Sequence, residues 1–233
     1  MTDPGLTADT YARWRATPLG EITERVETAL IIGLAGPLKG KRVLDVGTGD
    51  GHYAIAAAMR GAEVTALDSA LPMLVATRQR SKENGLTLEL VQGNAEALPF
   101  EDGSFDMVLA VTVLCLIPNA PQAVREMARV LAPGGCLILG ELGRYNLWAA
   151  KRRVRSWLGE SPWRQTRFRS RRQLRELALA AELQVVALSG AVHFPPIAPL
   201  ARLLAPVEPL LTRIRAPGAA FLALAASKPE TKP

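Results

Sequence analysis

A short apolar strand that leads into a glycine-rich turn and then a helix limits the folds open to this chain more than any other feature. Residues 42–46, RVLDV, lie between Gly40 and Gly47 and predict a strand buried in a parallel sheet. A helix of small residues follows over 51–60 and ends at Gly61, where a left-handed residue commonly closes a helix. The pattern favours a layered α/β structure.

Strand and helix patterns then alternate along most of the chain. Further strands are predicted at 63–67, 87–91, 107–113, 136–139, 184–188 and 219–225, and helices at 19–35, 70–83, 121–130 and 172–182. This order predicts a doubly wound, mostly parallel sheet of seven strands with helices on both faces, and a helical cap or insertion in the C-terminal half. A chain of 233 residues has room for one such domain.

The charge balance is basic, since 28 Lys and Arg residues outnumber 22 Asp and Glu residues and give a net charge of +6. Much of the excess lies in the stretch 144–172, whose sole acidic residue is Glu160. A basic surface attracts polyanions, but no sequence pattern of a nucleic-acid-binding module accompanies it. A solvated helix face explains the stretch equally well.

The sequence predicts a cytoplasmic protein with reduced thiols and no metal. The first residues, MTDPGLTADT, lack the basic and apolar regions of a signal peptide, and no apolar run reaches membrane-spanning length. Cys115 and Cys136 lie in apolar runs without the spacing of a metal site or a disulfide framework. The two histidines do not make a convincing metal site.

The glycine-rich turn after the first strand is where α/β folds bind nucleotide-like ligands. It reads VLDVGTGDG and contains Asp45, Gly47, Gly49 and Gly51. A dinucleotide fingerprint needs a glycine three residues after Gly49, but His52 stands there. The turn therefore fits a ligand without a pyrophosphate better than NAD.

A second acidic residue, Asp68, ends the second strand about twenty residues after the turn. A carboxylate in this place can accept hydrogen bonds from both hydroxyls of a ribose. An aspartate at a strand end can instead cap the following helix. The spacing to the glycine turn favours the ribose role.

Four runs in this order resemble one known family. VLDVGTGDG, VTALDSALPML, QGNAEALPFEDGSFDMV and REMARVLAPGGCLILGEL together span roughly 42–142. The chain resembles the class I S-adenosylmethionine-dependent methyltransferases of the small-molecule type, which include the ubiquinone and menaquinone methyltransferases. The resemblance implies a Rossmann-like fold and S-adenosylmethionine as the methyl donor, with S-adenosylhomocysteine as the product.

The resemblance also implies which residues bind the donor. Gly47 and Gly49 would line its methionine end and Asp68 would hold its ribose. Asn94 and Ala95 would lie beside the adenine; many members have Asp in place of Asn94, and the amide oxygen of Asn can still pair with the adenine edge. The full set implied is Asp45, Gly47, Thr48, Gly49, Gly51, Asp68, Ser69, Met73, Asn94, Ala95, Leu98 and Thr112.

In the terms of this family, the single domain over 1–233 divides into four parts. These are an N-terminal helical region (1–40), a donor-binding core (41–142), an acceptor-side cap and insertion (143–218) and a final strand (219–227). The segments that enclose the acceptor supply the substrate-binding candidates Tyr11, Trp14, Cys115, Tyr145 and Trp148. For an acceptor that must lose a proton, His193 and Glu141 are the candidate bases. Packing is the alternative role for each of these side chains.

The connection between the last two strands is longer than such a fold needs. Residues 194–217 are rich in Pro and Leu, with Arg202, Arg213 and Arg215 beside an apolar face. We expect this segment and the stretch 144–172 to form a lid that selects a small apolar acceptor. Packing on the domain or on a second subunit is the alternative. A monomer and a homodimer therefore both stay open, as does a peripheral contact with anionic lipid.

The predicted function is transfer of a methyl group from S-adenosylmethionine to a small acceptor by in-line displacement. The acceptor classes are a thiol, a phenol or quinone, and a lipid-like molecule. A protein that binds S-adenosylmethionine or a lipid without turnover is the first alternative, and a nucleic-acid methyltransferase is the second. The (N/D)PP(Y/F) motif of amino-methylating enzymes is absent after the fourth strand, where the chain reads AVTVLCLIPN, so we expect no nucleic-acid partner.

Overall fold

A sheet of seven strands organises the computed structural model, which describes residues 7–157 and 166–230. The strands are β1 (Arg42–Val46), β2 (Glu63–Asp68), β3 (Glu89–Gln92), β4 (Phe105–Val111), β5 (Leu131–Leu142), β6 (Gln184–Ala191) and β7 (Phe221–Ser227). Their order across the sheet is β3-β2-β1-β4-β5-β7-β6. All neighbours are parallel except β7, which runs antiparallel to β5 and to β6. The predicted seven-stranded, mostly parallel sheet is confirmed.

Helices connect the strands. They are α1 (Ala8–Arg15), α2 (Pro18–Ala35), α3 (His52–Ala58), α4 (Leu71–Glu83), α5 (Ala120–Val130), α6 (Leu147–Trp157), α7 (Arg171–Ala180), α8 (Ala198–Leu204) and α9 (Glu208–Arg213), with a 3₁₀ turn over Ala205–Val207. Within the described ranges, none of these helices is long and apolar enough to cross a membrane.

The sheet is covered on both faces because its central strands alternate between two apolar clusters. Leu44 packs in one cluster with Met127 of α5 and Leu174 of α7. Its neighbour Val43 packs in the other cluster with Ile31 of α2. Strands buried on both faces appear in the sequence as continuous apolar runs, and such runs predict β1 and β4.

Element boundaries differ from the prediction mainly where pairing is irregular. β5 begins at Leu131 rather than Cys136, because Leu131 pairs with Phe105 before the ladder shifts and resumes between Met107 and Cys136. The sequence pattern does not predict α1, α6, α8 or α9 as separate helices. No residue of α1 is fully buried, so α1 has no marked apolar stripe, and α8 and α9 are short.

The direction of the strands brings six loops together. Val46 at the end of β1 pairs with Leu67 near the end of β2, and Val111 at the end of β4 pairs with Gly140. Because β7 is antiparallel to both of its neighbours, β6 runs in the same direction as β5. The loops that follow β1, β2, β3, β4, β5 and β6 therefore leave from the same edge of the sheet, which we call the carboxyl edge.

Candidate functional site

The turn after β1 holds three glycines in the left-handed region, with φ values of 66° at Gly47, 58° at Gly49 and 84° at Gly51. A Cβ added at Gly47 would lie 2.3 Å from Val113 Cγ2, and one at Gly51 would lie 2.7 Å from Thr77 Cγ2. A Cβ at Gly49 would meet no atom within 4 Å. Gly47 and Gly51 are thus required by packing, whereas Gly49 faces open space that a ligand can occupy.

Asp68 lies directly beside this space at the end of β2. One of its carboxylate oxygens accepts the Gly49 backbone N–H and the other accepts the Ala70 N–H, each at 2.9 Å. Burial raises the pKa of this half-buried carboxyl, while the backbone hydrogen bonds act in the opposite direction. The structure therefore fixes the carboxylate next to the open side of the glycine turn.

Asp45 stands at the base of the same turn. It is buried and accepts a hydrogen bond of 2.7 Å from the Thr48 hydroxyl. Burial raises the pKa of Asp45 to about 7. The Thr48 backbone N–H donates to the Leu67 carbonyl at 2.9 Å, which joins the turn to the end of β2.

The other predicted donor residues lie in the loops after β2, β3 and β4 and, for Met73, in the first turn of α4. Met73, Ala95 and Leu98 are buried, and Ser69 and Asn94 are exposed. The Asn94 side-chain oxygen accepts the Glu96 N–H at 2.9 Å. Thr112 has a φ of 55°, rare for a β-branched residue, and its N–H donates to the Gly140 carbonyl at 2.7 Å.

Ion pairs hold helix α1 against the glycine turn. The Arg15 guanidinium pairs with both carboxylate oxygens of Asp50, which lies within the turn. Arg80 of α4 pairs with the same carboxylate at 2.9 Å, and Arg15 also lies 3.4 Å from Glu24 of α2. Because Asp50 is buried, these contacts join α1, α2 and α4 at the carboxyl edge.

His52, which replaces the third glycine of a dinucleotide fingerprint, contacts α2. Its Nε2 lies 2.7 Å from the Thr28 hydroxyl and its Nδ1 lies 3.3 Å from Glu24. Burial, with help from the positive charges of Arg80 and Arg15, lowers the pKa of His52 to about 4. The ring is therefore neutral at physiological pH and serves as a hydrogen-bonding partner of α2.

Four side chains from separate elements interact electrostatically near the turn. Burial raises the pKa of Tyr11 to about 12, the charges of Cys115 and Asp68 raise it further, and the charge of Arg152 lowers it. Burial likewise raises the pKa of Glu27 to about 8, although the charge of Arg152 opposes the increase. The predicted Tyr11 and Cys115 thus belong to one electrostatic group with Glu27 and Arg152, which the sequence does not predict.

A sequence signal for Glu27 does exist. Glu27 follows the buried Thr23 by four residues and precedes the buried Ile31 by four, so it lies on the stripe of α2 that faces the sheet. A carboxylate on the buried stripe of a helix is rarely tolerated without a role. Arg152 gives a weaker signal, because it lies among many other basic residues.

Glu141 is fully buried at the end of β5. Its Oε2 lies 3.2 Å from Arg169 Nη1, and its Oε1 has no hydrogen-bond partner among the described residues. Burial raises the pKa of Glu141 to about 7, while Arg169 and the amides of Leu114 and Cys115 lower it. The structure places this predicted base beneath the loop that carries Cys115.

His193 follows β6 at the carboxyl edge, with both ring nitrogens in contact with acceptors. Nδ1 lies 2.9 Å from the Glu208 carboxylate and Nε2 lies 3.2 Å from the Ala216 carbonyl. Both ring nitrogens are therefore engaged by groups of the protein.

Of the remaining predicted substrate residues, Trp14 lies on α1 with Tyr11, and Trp148 lies beside Arg152, whose guanidinium is 5.7 Å from the centre of the Trp148 ring. Trp148 is buried, and its indole N–H donates to the Phe194 carbonyl at 2.9 Å, which joins α6 to the segment after β6. Tyr145 is 72% exposed. The carbonyl of Trp14 accepts the Thr17 N–H and hydroxyl, and so closes α1.

Comparisons with known proteins show what the chain is similar to. Residues 44–139 match the methyltransferase domain family Methyltransf_11. An uncharacterized protein of Mycobacterium tuberculosis is 35% identical over 138 residues, which cover 58% of this chain and 50% of the relative. The demethylmenaquinone methyltransferase of Thermus thermophilus is 41% identical over 103 residues, covering 43% of this chain and 47% of that enzyme. The chain thus spans about half the length of the curated relatives it matches.

Among solved structures, an S-adenosylmethionine-dependent methyltransferase of Thermotoga maritima matches with a TM-score of 0.74 at 20% identity. The match covers 94% of this chain and 95% of that protein, so the shared fold extends beyond residues 44–139. The chain thus shares the seven-stranded, Rossmann-like fold of that methyltransferase, and residues 44–139 are similar in sequence to a methyltransferase domain.

Proposed function

We propose that the protein transfers a methyl group from S-adenosylmethionine to a small-molecule acceptor. The observation that carries the proposal is the open side of Gly49 next to the Asp68 carboxylate. A ligand can approach the backbone closely there, and a ribose placed beside the turn would find an acceptor for its hydroxyls. Both features are those the donor requires.

The electrostatics of the site support the same ligand, which supplies an electrophilic methyl group on a positively charged sulfur. Burial raises the pKa values of Asp45, Asp68 and Glu27. A raised carboxyl pKa means that the ionised form is poorly compensated where it lies. A cation bound among these carboxylates would favour their ionised forms, so the site favours a positively charged ligand.

The other donor contacts that we propose follow from burial. Met73, Ala95 and Leu98 offer buried apolar surface for the adenine, and Asn94 offers its amide. Ser69 and Thr112 lie at the ends of β2 and β4, where the loops of the carboxyl edge converge. Asp68 would accept from the ribose, and Gly49 would admit the methionine end.

On the acceptor side we propose distinct roles for Tyr11 and Glu27. With a pKa near 12, the Tyr11 phenol keeps its proton at physiological pH and can donate a hydrogen bond that holds the acceptor in line. With a pKa of about 8, Glu27 changes protonation near neutral pH and is suited to accept the proton of a thiol or hydroxyl. Cys115 lines the same side.

Glu141 and His193 have positioning roles in this proposal. Glu141 is paired with Arg169 and supports the loop of Cys115, and His193 binds Glu208 and so holds α9 against the end of β6. Helix α8 packs on α2, with Ala201 buried. The segment after β6 therefore adjoins the acceptor side as a cap, which agrees with a small, largely apolar acceptor such as a thiol, a phenol or quinone, or a lipid-like compound.

Calorimetry with S-adenosylmethionine and S-adenosylhomocysteine tests donor binding directly. A panel of thiols, phenols and quinones, assayed for S-adenosylhomocysteine formation, then tests transfer. Binding of both ligands with turnover of one acceptor class supports the proposal. Absence of donor binding at millimolar concentration overturns it, and tight binding without turnover of any acceptor favours a protein that binds the donor without catalysis.

A further inference from the structure

A cavity with a basic lining lies between α6, with the residues that precede it, and the start of α7. It has a volume of about 490 Å³ and is lined by Arg144, Tyr145, Arg153, Arg167, Phe168 and Gln173. Three of these six residues carry a guanidinium group and none carries a carboxylate. A concave surface with this composition has the chemistry of an anion-binding site.

The three arginines are held by neutral groups. Arg153 donates to the Arg144 carbonyl at 2.7 Å and lies 5.8 Å from the centre of the Phe168 ring. Arg144 lies 5.7 Å from the centre of the Tyr145 ring. Arg167 donates to the Pro118 carbonyl at 3.2 Å, and its backbone N–H donates to the Cys115 carbonyl at 3.0 Å. Carbonyls and ring faces orient a guanidinium without cancelling its charge.

Their positive charge is not compensated by neighbouring side chains in residues 7–157 and 166–230. Other arginines of the chain, such as Arg15, Arg42 and Arg129, form ion pairs with carboxylates. Arg144, Arg153 and Arg167 form none with a carboxylate of the described part of the chain. Like charges gathered in one cavity repel, and a multiply charged anion would relieve this repulsion.

Neutral donors complete the cavity. The Tyr145 hydroxyl belongs to an exposed side chain, and the Gln173 oxygen is occupied because it accepts the Ser170 N–H at 2.9 Å. The Gln173 amide therefore offers N–H groups as its remaining hydrogen-bonding capacity. Guanidinium groups with neutral N–H and O–H donors match the oxygens of a phosphate, which accept several hydrogen bonds at once.

We propose that this cavity binds a phosphate group, as an anion-binding site separate from the donor site. Two sources share that chemistry, a soluble phosphate compound and the headgroup of an anionic phospholipid. Helix α6, which carries Arg153, also exposes Leu147, Val154 and Trp157, the last being 89% exposed. Exposed apolar and aromatic side chains next to arginines are the arrangement by which a helix lies on an anionic membrane surface.

Binding of inorganic phosphate and pyrophosphate, measured by calorimetry at constant ionic strength, tests the site. Arg144→Gln and Arg153→Gln should each weaken pyrophosphate binding by about tenfold, since each removes a charge-assisted contact. Arg60→Gln is the matched control: Arg60 is exposed and donates to the Ala56 carbonyl at 2.6 Å, so this change removes the same charge elsewhere. Circular dichroism confirms that each variant is folded.

Sedimentation with vesicles distinguishes the two sources of the phosphate group. Phosphatidylcholine vesicles with and without phosphatidylglycerol are sedimented with the wild type, Arg153→Gln and Trp157→Ser. A lipid source predicts binding only to the anionic vesicles, with loss in both variants, although Trp157→Ser retains pyrophosphate binding. A soluble source predicts pyrophosphate binding that depends on Arg153 and no sedimentation. Equal pyrophosphate affinities for the wild type, Arg144→Gln and Arg153→Gln overturn the proposal, whatever the donor affinity proves to be.

Discussion

The Glu208 carboxylate contacts both the backbone and the imidazole of His193. One carboxylate oxygen accepts the His193 backbone N–H at 2.6 Å, and the other lies 2.9 Å from the His193 ring nitrogen Nδ1. The Val192 N–H donates to the same carboxylate at 3.0 Å. A buried carboxylate that satisfies three donors holds the start of α9 against the end of β6.

Glu208→Ala should lower the free energy of unfolding by about 3 kcal/mol, because it leaves buried donors without a partner. Glu101→Ala, at an exposed position, should change it by less than about 0.5 kcal/mol. Urea unfolding measures both. If the cap selects the acceptor, Glu208→Ala should also reduce turnover more than donor affinity. Unfolding midpoints that are the same for both variants would show that the carboxylate is not needed.

Gly49→Ala and Gly85→Ala form a matched pair. Both glycines are left-handed, with φ values of 58° and 68°, and a Cβ at either position meets no atom within 4 Å. Each alanine should cost about 1–2 kcal/mol of stability through backbone strain. Only Gly49→Ala should weaken S-adenosylmethionine binding, since its methyl group enters the space proposed for the donor. Equal donor affinity in the two variants would show that the donor does not bind at this turn.

Gly47→Val would be a poorer test of the same idea. A Cβ at Gly47 collides with the Val113 side chain even without a ligand. Loss of donor binding in that variant would therefore report disturbed packing of the loop after β4 as readily as a blocked site.

Asp68→Asn should weaken donor binding by about tenfold or more, because an amide replaces a charged acceptor of the ribose hydroxyls. Asp106→Asn is the control. Asp106 is the second residue of β4, at the end of the strand opposite to the carboxyl edge, and pairs with Arg42 at 2.9 Å in an exposed position. Its loss should cost at most about 1 kcal/mol of stability and leave donor affinity unchanged. Calorimetry measures the donor affinity of both variants. An unaltered affinity in Asp68→Asn contradicts the ribose role.

Donor affinity should increase from about pH 6 to about pH 9. The pKa of Asp45 is raised to about 7 and that of Glu27 to about 8, so both carboxyls are largely protonated at the lower limit and ionised at the upper. A positively charged donor prefers the ionised forms, and its binding below these pKa values releases protons. Glu27→Gln should remove the part of the increase near pH 8 and leave the part near pH 7. Calorimetry in buffers of different ionisation enthalpy measures the protons released; a flat affinity profile contradicts the charge argument.

Stability of the ligand-free protein should have the opposite pH dependence. A carboxyl whose pKa is raised by folding stabilises the fold below its unfolded pKa, and this contribution is lost as the pH rises through the folded value. For Asp45 and Glu27 the loss falls between about pH 4 and about pH 8. Glu27→Gln should reduce the slope of the urea midpoint over this interval. A slope equal to that of the wild type would mean that Glu27 titrates normally.

The fold could be predicted further than the site. Strands such as β1 and β4 are buried on both faces, and their continuous apolar runs mark them without knowledge of their neighbours. The proposed acceptor side combines residues of α1, α2, the loop after β4 and α6, so the interaction of Glu27 with Arg152 arises only in three dimensions. His193 illustrates the converse: its residue type suggests a base, but its partner Glu208 is fifteen residues away and engages the ring in a structural contact.

β7 comes last among the described strands, yet it lies between β5 and β6. Within the described sheet, β7 is the one neighbour of β6, so β6 leaves the ribosome before any strand exists with which it can pair. Until Phe221–Ser227 has been synthesised, the edges of β5 and β6 that will receive it remain open. A nascent chain that pauses before Phe221 therefore carries an unfinished sheet with unpaired edges, and this interval is when it most needs a chaperone.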